Sequence, residues 1–514
     1  MTSSMFVTKT VPAVISPTAN SVVLTPTSNG LDVALLPCGM PVREFRLTWD
    51  FDMTPYTKIL ADSWGVALGN LGWKDRASVT RAEWYFALTD NSGSTSHCFG
   101  VRTGCAAFCS WLIEENRLTL VCDVRSGGEG VELTEPLLCA TVVSMENNGN
   151  ETVYAAAKRF CRLMCEKPRL AGHPVYGFNT WYYTYGDITR ASVMKDAELC
   201  ALLASGTPAG SPLPYMVIDD GWSRTRIPNV YNGGPFIPNE DFGDMEAVAE
   251  DIAATGCAPG IWVRALYVLP EMCPQIPEFC YSENQQYVSG KPGKILDPTT
   301  DGAKEYIFSL VRGLSDSGYK LIKHDFTCPD YMGNKFLSPS LTADGWHPHD
   351  RTKTNAQILM DLYSLIQEAA NGAVVIGCNT YNHLAAGIHE LQRSGCDTSG
   401  RNWETTKTFG INSLVYRLCQ NNTFFETDAD CACFTQHVPT EKNILFADVI
   451  SRCNSALFVS AAPDILKPGD IDKLIEIYRR SAMAKSEAEP LDWMDNAVPT
   501  EFLSDGEVCK YNWD

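Results

Sequence analysis

The chain carries no Cys-x-x-Cys pair, although it has 20 cysteines in 514 residues. Cys431 and Cys433 form a Cys-x-Cys, a poor match to zinc-site spacing, so no metal centre is expected. No segment approaches the run of about 18 apolar residues that a membrane helix needs. Residues 1–20 lack a basic region followed by an apolar core of roughly 7–15 residues, so no secretory leader is expected. The cysteines therefore read as free buried thiols in a reducing cytoplasm rather than as a disulfide framework. A basic excess is missing too: 41 Lys and Arg face 61 Asp and Glu, a formal net charge of −20. That argues against nucleic acid and anionic membranes as partners and for a soluble protein. The acidic residues are dispersed, so most of this charge is solvated surface. Internal repeats and low-complexity tracts are also absent.

What is present is apolar bulk: 45% hydrophobic residues, with 12 Trp, 20 Tyr and 21 Phe. This suffices for large cores, and aromatics in such number suit stacking on flat or sugar-like ligands. The length calls for a large barrel plus at least one further module. Residues 1–168 read as an N-terminal β-sandwich domain with a linker helix. Short apolar runs (Phe45–Phe51, Glu83–Leu88, Ala106–Leu112, Leu118–Val124, Leu137–Val143) alternate there with Gly/Asn/Ser turns. A helix over Glu151–Glu166 leads out of it. Residues 172–484 read as a (β/α)₈ TIM barrel, an α/β fold. Its strands are expected over Val175–Tyr183, Pro214–Trp222, Ala258–Leu266, Tyr319–Phe326, Ala373–Tyr381, Ile388–Asp397, Thr423–Cys431 and Ala456–Ser460. Amphipathic stretches between them include Arg190–Leu203, Met245–Ala254, Asp301–Ser317, Thr354–Ala370, Trp403–Leu418 and Glu441–Asn454, and a helix over Pro468–Ala484 closes the unit. Residues 485–514 read as a short C-terminal β tail, too small for a core of its own.

Strand four, Tyr319-Lys-Leu-Ile-Lys-His-Asp325, organises the reading. Alternation puts Lys323 and Asp325 on one face and His324 on the other. A buried lysine and aspartate must pair or bind something, and the C-terminal end of a barrel strand is where active sites sit. An ion pair that merely caps the strand fits the same pattern, so the other strands decide. Strand two ends in Asp219-Asp220-Gly221-Trp222, two repelling carboxylates beside an aromatic face, which suits sugar hydroxyls and a C–H face. Strand one ends in an aromatic rim that includes Trp181, and strand three places Trp262 and Arg264 two apart. Strand six ends in Arg393-Ser-Gly-Cys-Asp397. Asp325 and Asp397 then face each other across the barrel mouth, the pair that glycoside hydrolysis requires.

These motifs, in this order, make the chain resemble the α-galactosidase clan, glycoside hydrolase families 27 and 36, and family 36 most. The segment Gly65-Val-Ala-Leu-Gly-Asn-Leu-Gly-Trp73 in the leading β domain adds to the resemblance, which covers roughly residues 40–480. The resemblance implies a retaining exo-α-galactosidase with Asp325 as nucleophile and Asp397 as acid/base. It implies that Lys323 binds ring hydroxyls, that Asp219 and Asp220 hold the 4- and 6-hydroxyls, and that Arg393 contacts the 2-position. Trp181 would form the pocket wall. A covalent glycosyl-enzyme, and no metal or cofactor, follow from it; an acid about 5–5.5 Å from the nucleophile gives retention. The partner is then a terminal α-galactoside in an oligosaccharide or glycoconjugate, acted on in the cytoplasm, with a homo-oligomer left open.

The departures lie in strand five, Gly377-Cys-Asn-Thr-Tyr-Asn-His383, where relatives read the 2-substituent. Cys378 and Asn379 stand there, and Asn379 fits neither the glutamate of family 27 α-galactosidases nor the small residues of α-N-acetylgalactosaminidases, which leaves the 2-position preference open. His383 is a candidate pocket contact or an ordinary loop histidine. Asp428 and Asp430 lie two apart in strand seven, either touching substrate or bracing the barrel. The alternatives are an α-N-acetylgalactosaminidase or transglycosidase of the same clan, or, in another class, a catalytically silent carbohydrate-binding protein.

Overall fold

In Glu44–Asp50, apolar and polar residues alternate, and the structure buries Phe45, Leu47 and Trp49 on one face of a strand. The computed structural model describes residues 5–15, 21–147, 149–225, 232–483 and 486–514. Among them, strands of this kind build an antiparallel sheet of eleven. Its spatial order runs Ala13–Ile15, Glu44–Asp50, Arg117–Asp123, Phe108–Glu114, Arg81–Thr89, Ser96–Val101, Leu137–Asn147, Gly30–Leu35, Val22–Thr27. Lys58–Asp62 and Trp73–Asp75 attach alongside Arg81–Thr89. Arg125–Ser126 pairs with Glu129–Gly130 in a separate two-stranded sheet, and eleven strands of this all-β region thus share one hydrogen-bonded sheet. The strand Arg81–Thr89 joins its parts: residues 81–83 pair with 110–112, and residues 86–89 pair with 96–99. Between these registers sits Trp84, fully buried and left-handed at φ 59°. Phe86, Phe99 and Trp111 fill the interior, Phe86 stacking on Phe99 at 5.3 Å.

The linker helix, Val153–Met164, is capped by the Thr152 hydroxyl, which accepts from the Ala155 N–H at 3.1 Å. It buries Val153, Ala156, Ala157, Phe160 and Met164 at helical spacing.

The eight expected barrel strands close into a parallel barrel: Tyr176–Asn179, Tyr215–Ile218, Ala258–Val263, Leu321–His324, Val374–Gly377, Leu391–Arg393, Glu426–Phe434 and Ala456–Ala461. Apart from the seventh and eighth they stop short of the expected ends. The reason is chemical: Asp219, Asp220, Asp325, Asn379 and Asp397 follow the last paired residues, where the backbone turns out of the ladder to form the βα loops. Crossover helices fall close to expectation, at Arg190–Leu203, Met245–Ala254, Asp301–Asp316, Asn355–Ala369 and Thr440–Arg452. One differs in kind. The single helix expected over Trp403–Leu418 is a turn of α-helix (Trp403–Thr406), a π-helical segment (Lys407–Asn412) and a further turn (Ser413–Tyr416). The closing helix is Pro468–Ser481; its expected last residue, Ala484, and the expected boundary at 484–485 lie outside the described residues.

The tail forms a three-stranded antiparallel sheet, Glu489–Pro490, Glu501–Ser504 and Glu507–Lys510. It is held by packing on the rest of the chain. Trp493 meets Trp73, Tyr154 and Tyr416 at centroid distances of 5.4–6.0 Å. The Trp403 indole donates to the Trp513 carbonyl at 2.7 Å. All 20 cysteines are unbridged, and 17 of them are buried. No helix among the described residues is long and apolar enough to cross a membrane.

Candidate active site

Strand alternation sets the site. Lys323 points into the barrel, where its ammonium donates to Asp219 Oδ2 at 2.8 Å. His324 points outward and is fully buried against His389 and Tyr363. Asn179, at the end of strand one, also donates to Asp219 Oδ2, at 2.7 Å, and the Asp220 N–H donates to Asp219 Oδ1 at 2.9 Å. Asp219 is therefore a carboxylate locked on both oxygens. Burial is the largest influence and would push the Lys323 ammonium towards its neutral form, but Asp219, with the further help of Cys378 and Asp325, holds its pKa well above the ordinary value.

Asp325 follows strand four with its two oxygens unequally held. Oδ1 accepts from Asn379 Nδ2 at 2.7 Å and from the Phe326 N–H at 2.6 Å. Among the described residues, Oδ2 accepts only the Trp262 indole, at 3.2 Å. Asp397, after strand six, accepts from Arg393 Nη2 through Oδ1 at 3.0 Å. The Asp397 side chain keeps 59% of its surface accessible because it faces the pocket mouth. Even so, desolvation by the surrounding wall and the nearby Asp430 charge raise its pKa, against the opposing pull of Arg393.

Eight of the expected residues line one pocket: Trp181, Asp219, Asp220, Trp262, Lys323, Asp325, Asn379 and Asp397. Tyr182, Asn232 and Phe326 complete the wall, none of them singled out in the sequence. Tyr182 stood within the aromatic rim beside Trp181; Asn232 belongs to no motif. Arg393 lies beneath, in a small adjoining cavity with Asn179, Asp428 and Asp430. There Asp430 pairs with the Arg393 guanidinium and accepts from the Tyr182 hydroxyl. It also accepts from the Thr398 N–H at 2.8 Å. Asp430 in turn donates its N–H to Asp428 Oδ1 at 2.9 Å, so these two carboxylates brace the floor of the site.

Trp222, Arg264 and Cys378 stand outside this pocket's lining, for identifiable reasons, and His383 is no pocket contact either. Trp222 is buried and donates its indole N–H to the Trp262 carbonyl at 3.1 Å, backing the wall rather than forming it. Arg264 makes a forked pair with buried Asp330 at 2.5 and 2.9 Å, with the rings of Phe326 and Tyr267 at 4.4 and 4.3 Å. It fixes Phe326 and Asn232 from behind. Cys378 is buried, its sulfur 3.5 Å from Arg393 Nη1. His383 is fully buried among Trp84, Phe108 and Tyr381, at the contact between the β domain and the barrel.

Three residues at this site, Phe326 (φ 63°), Asn379 (φ 53°) and Asp430 (φ 69°), are left-handed without being glycine. Such strain persists only where the surroundings over-determine it, and it gathers at functional sites. A wider cleft of about 800 Å³ runs along Met40–Arg46 beside Arg125 and Asp344. Its arginines and carboxylates are already paired with one another, Arg43 with Asp344, Arg46 with Glu44 and Arg125 with Asp123. Among the described residues, no group of three or more His, Cys, Asp or Glu is placed to hold a metal ion.

No family model matches the sequence. Solved structures do match its fold. An α-galactosidase from Thermus thermophilus, in complex with p-nitrophenyl α-D-galactopyranoside, is similar over 97% of this chain and 96% of its own, at 18% identity and TM-score 0.65. A variant of a GH36 α-galactosidase from Geobacillus stearothermophilus, in complex with 1-deoxygalactonojirimycin, matches 90% of this chain and 65% of its own, at 15% identity and TM-score 0.60. An α-galactosidase from Lactobacillus brevis matches 90% of this chain and 63% of its own, at 12% identity and TM-score 0.60. The chain shares the fold of these α-galactosidases, a TIM barrel behind an antiparallel β domain.

Proposed function

We propose that the protein is a retaining exo-glycosidase that hydrolyses terminal α-D-galactosides, with Asp325 as nucleophile and Asp397 as acid/base. The observation that carries this reading is the pair of differently held carboxylates, from the ends of strands four and six, in one pocket. Asp325 is held by three donors, mostly through Oδ1, which leaves Oδ2 as the attacking oxygen. Asp397 has a raised pKa, which keeps it protonated at higher pH than an ordinary carboxyl.

In the first step Asp325 Oδ2 bonds to the anomeric carbon and the glycosidic C–O bond breaks. The Asp397 proton passes to the departing oxygen. In the second, the Asp397 carboxylate takes a proton from water, whose oxygen attacks the anomeric carbon and releases Asp325. Two inversions restore the starting configuration. Lys323 and the Asp219–Asp220 pair would read the ring hydroxyls, the adjacent carboxylates suiting the axial 4-hydroxyl of galactose. Asn379 spends its amide on Asp325, which makes it a support of the nucleophile before it is a reader of the 2-position. The α-galactosidases of like fold, one in complex with stachyose, support the substrate class.

The test is release of p-nitrophenol from a panel of α-galactoside, α-N-acetylgalactosaminide and α-glucoside, with the first-formed sugar anomer followed by NMR. Selective cleavage of the galactoside with the α-anomer appearing first is expected. No cleavage of any member by folded protein would overturn the proposal.

A further inference from the structure

The turn that carries Asp397 is not held by the barrel alone. Ser394, Gly395 and Cys396 separate strand six from Asp397, and on one side Ser394 N–H donates to the Asp428 carbonyl of strand seven at 2.9 Å. On the other side the partner comes from the N-terminal domain. The Ala67 N–H donates to the Ser394 carbonyl at 3.1 Å, and the Cys396 N–H donates to the Ala67 carbonyl at 3.0 Å. Together these form a parallel bridge across more than 300 residues of chain. Behind the turn there is no slack, since a Cβ on Gly395 would lie 1.9 Å from the Phe409 carbonyl in the π-helical segment.

Two side chains clamp the loop that carries Ala67. Arg417 is buried, with 1% of its side chain accessible, and spans both partners. Its Nη1 donates to the Ser394 carbonyl at 2.6 Å, while Nη2 reaches the Gly65 carbonyl at 2.7 Å and the Ser63 hydroxyl at 2.9 Å. Nε and Nη2 also pair with Asp62 Oδ1, at 3.0 and 2.8 Å. At the far end, Asn412 exchanges hydrogen bonds with Leu71, donating to its carbonyl at 2.9 Å and accepting from its N–H at 2.8 Å. A fully desolvated guanidinium with this many fixed acceptors is costly to build and rigid once built. Its location, joining Asp62–Gly65 to the carbonyl of Ser394, ties one domain's loop to the other domain's catalytic turn.

We infer that loop 64–72 of the β domain, clamped by Arg417 and Asn412, positions the Asp397 carboxyl for proton transfer. Arg417 and Ala67 are positioning residues; neither lines the pocket. This rests on the role proposed above for Asp397. Displacing a general acid slows departure of poor leaving groups far more than of good ones, which leave with little protonation. A loss of folded protein slows both alike.

The experiment compares kcat/KM for methyl α-galactoside and 2,4-dinitrophenyl α-galactoside in the wild type, Arg417→Lys and Ala67→Pro. Arg417→Lys keeps a charge beside Asp62 but loses the fork; Ala67→Pro removes one N–H and leaves Arg417 in place. Rates are corrected for folded enzyme by thermal melts and by titration with an activated 2-fluoro galactoside. The expected result is a loss on the methyl glycoside at least roughly tenfold larger than on the dinitrophenyl one, in whichever variants fold. Equal losses on the two substrates, or none, in variants of an active wild type overturn this inference alone. A wild type that cleaves neither substrate overturns the reading of the site, and this inference with it.

Discussion

Asp325 and Asp397 differ because the chain supplies one with donors and the other with a charge balance. Three N–H groups surround Asp325, so replacing it with asparagine leaves them facing a neutral amide and removes the proposed nucleophile. Asp325→Asn should lower kcat by at least about 10²-fold; turnover within tenfold of wild type in a steady-state assay would refute the assignment. Asp397 sits between Arg393, which favours its ionised form, and Asp430, which opposes it. Asp430→Asn removes the opposing charge and frees Arg393 from its other carboxylate partner, and both changes lower the pKa of Asp397. The acid must be protonated to act, so the alkaline limb of kcat/KM should move to lower pH. A pH profile with that limb unmoved, or moved upward, would count against Asp397 as the acid.

At the scale of elements, the barrel places these groups by ending strands early. Strand six has three paired residues, and Asp397 projects from the turn beyond them. Close packing of neighbouring strands makes this possible and leaves its own mark. A Cβ on Gly177 in strand one would fall 1.9 Å from the Tyr215 carbonyl of strand two. Gly177→Ala should therefore destabilise the protein by about 1–3 kcal/mol, the range for overpacking a tight interior; an unchanged melting temperature in calorimetry would show that the strands can separate without strain. The π-helical segment Lys407–Asn412 is another element whose form follows its task, since it brings Phe409 against Gly395 and Asn412 to Leu71.

Across the whole molecule, the β domain and the barrel share one apolar contact. Trp84 packs on Phe424 at 4.8 Å, Phe108 on Tyr381 at 4.9 Å, and His383 lies between them with its ring pKa pushed down to about 3 by burial. The tail adds Trp493 and Trp513 to the same body. A chain beginning at residue 172 would expose this face, so it should be insoluble or lack a cooperative thermal transition by circular dichroism. A soluble barrel fragment with a sharp melt would show that the β domain is dispensable for folding.

The order of strands and helices, the all-β character of the first third and the carboxylates at the ends of strands two, four and six are legible in the sequence. Each depends on local periodicity, turn residues or adjacency along the chain. Asp325 and Lys323 could be placed on one face because the strand period is two. The remainder required the closed barrel and its contacts. Arg264 looks like a ligand group until Asp330 is seen to claim it, and His383 looks like a loop residue until the β domain covers it. Asn232 and Tyr182 enter the wall only because distant segments converge there. Arg417 carries no motif, yet five of its guanidinium's six hydrogen bonds reach residues 352–355 positions away, and the sixth holds the Ser394 carbonyl. Which partner satisfies a buried charge is decided by long-range packing, and one-dimensional pattern holds no record of it.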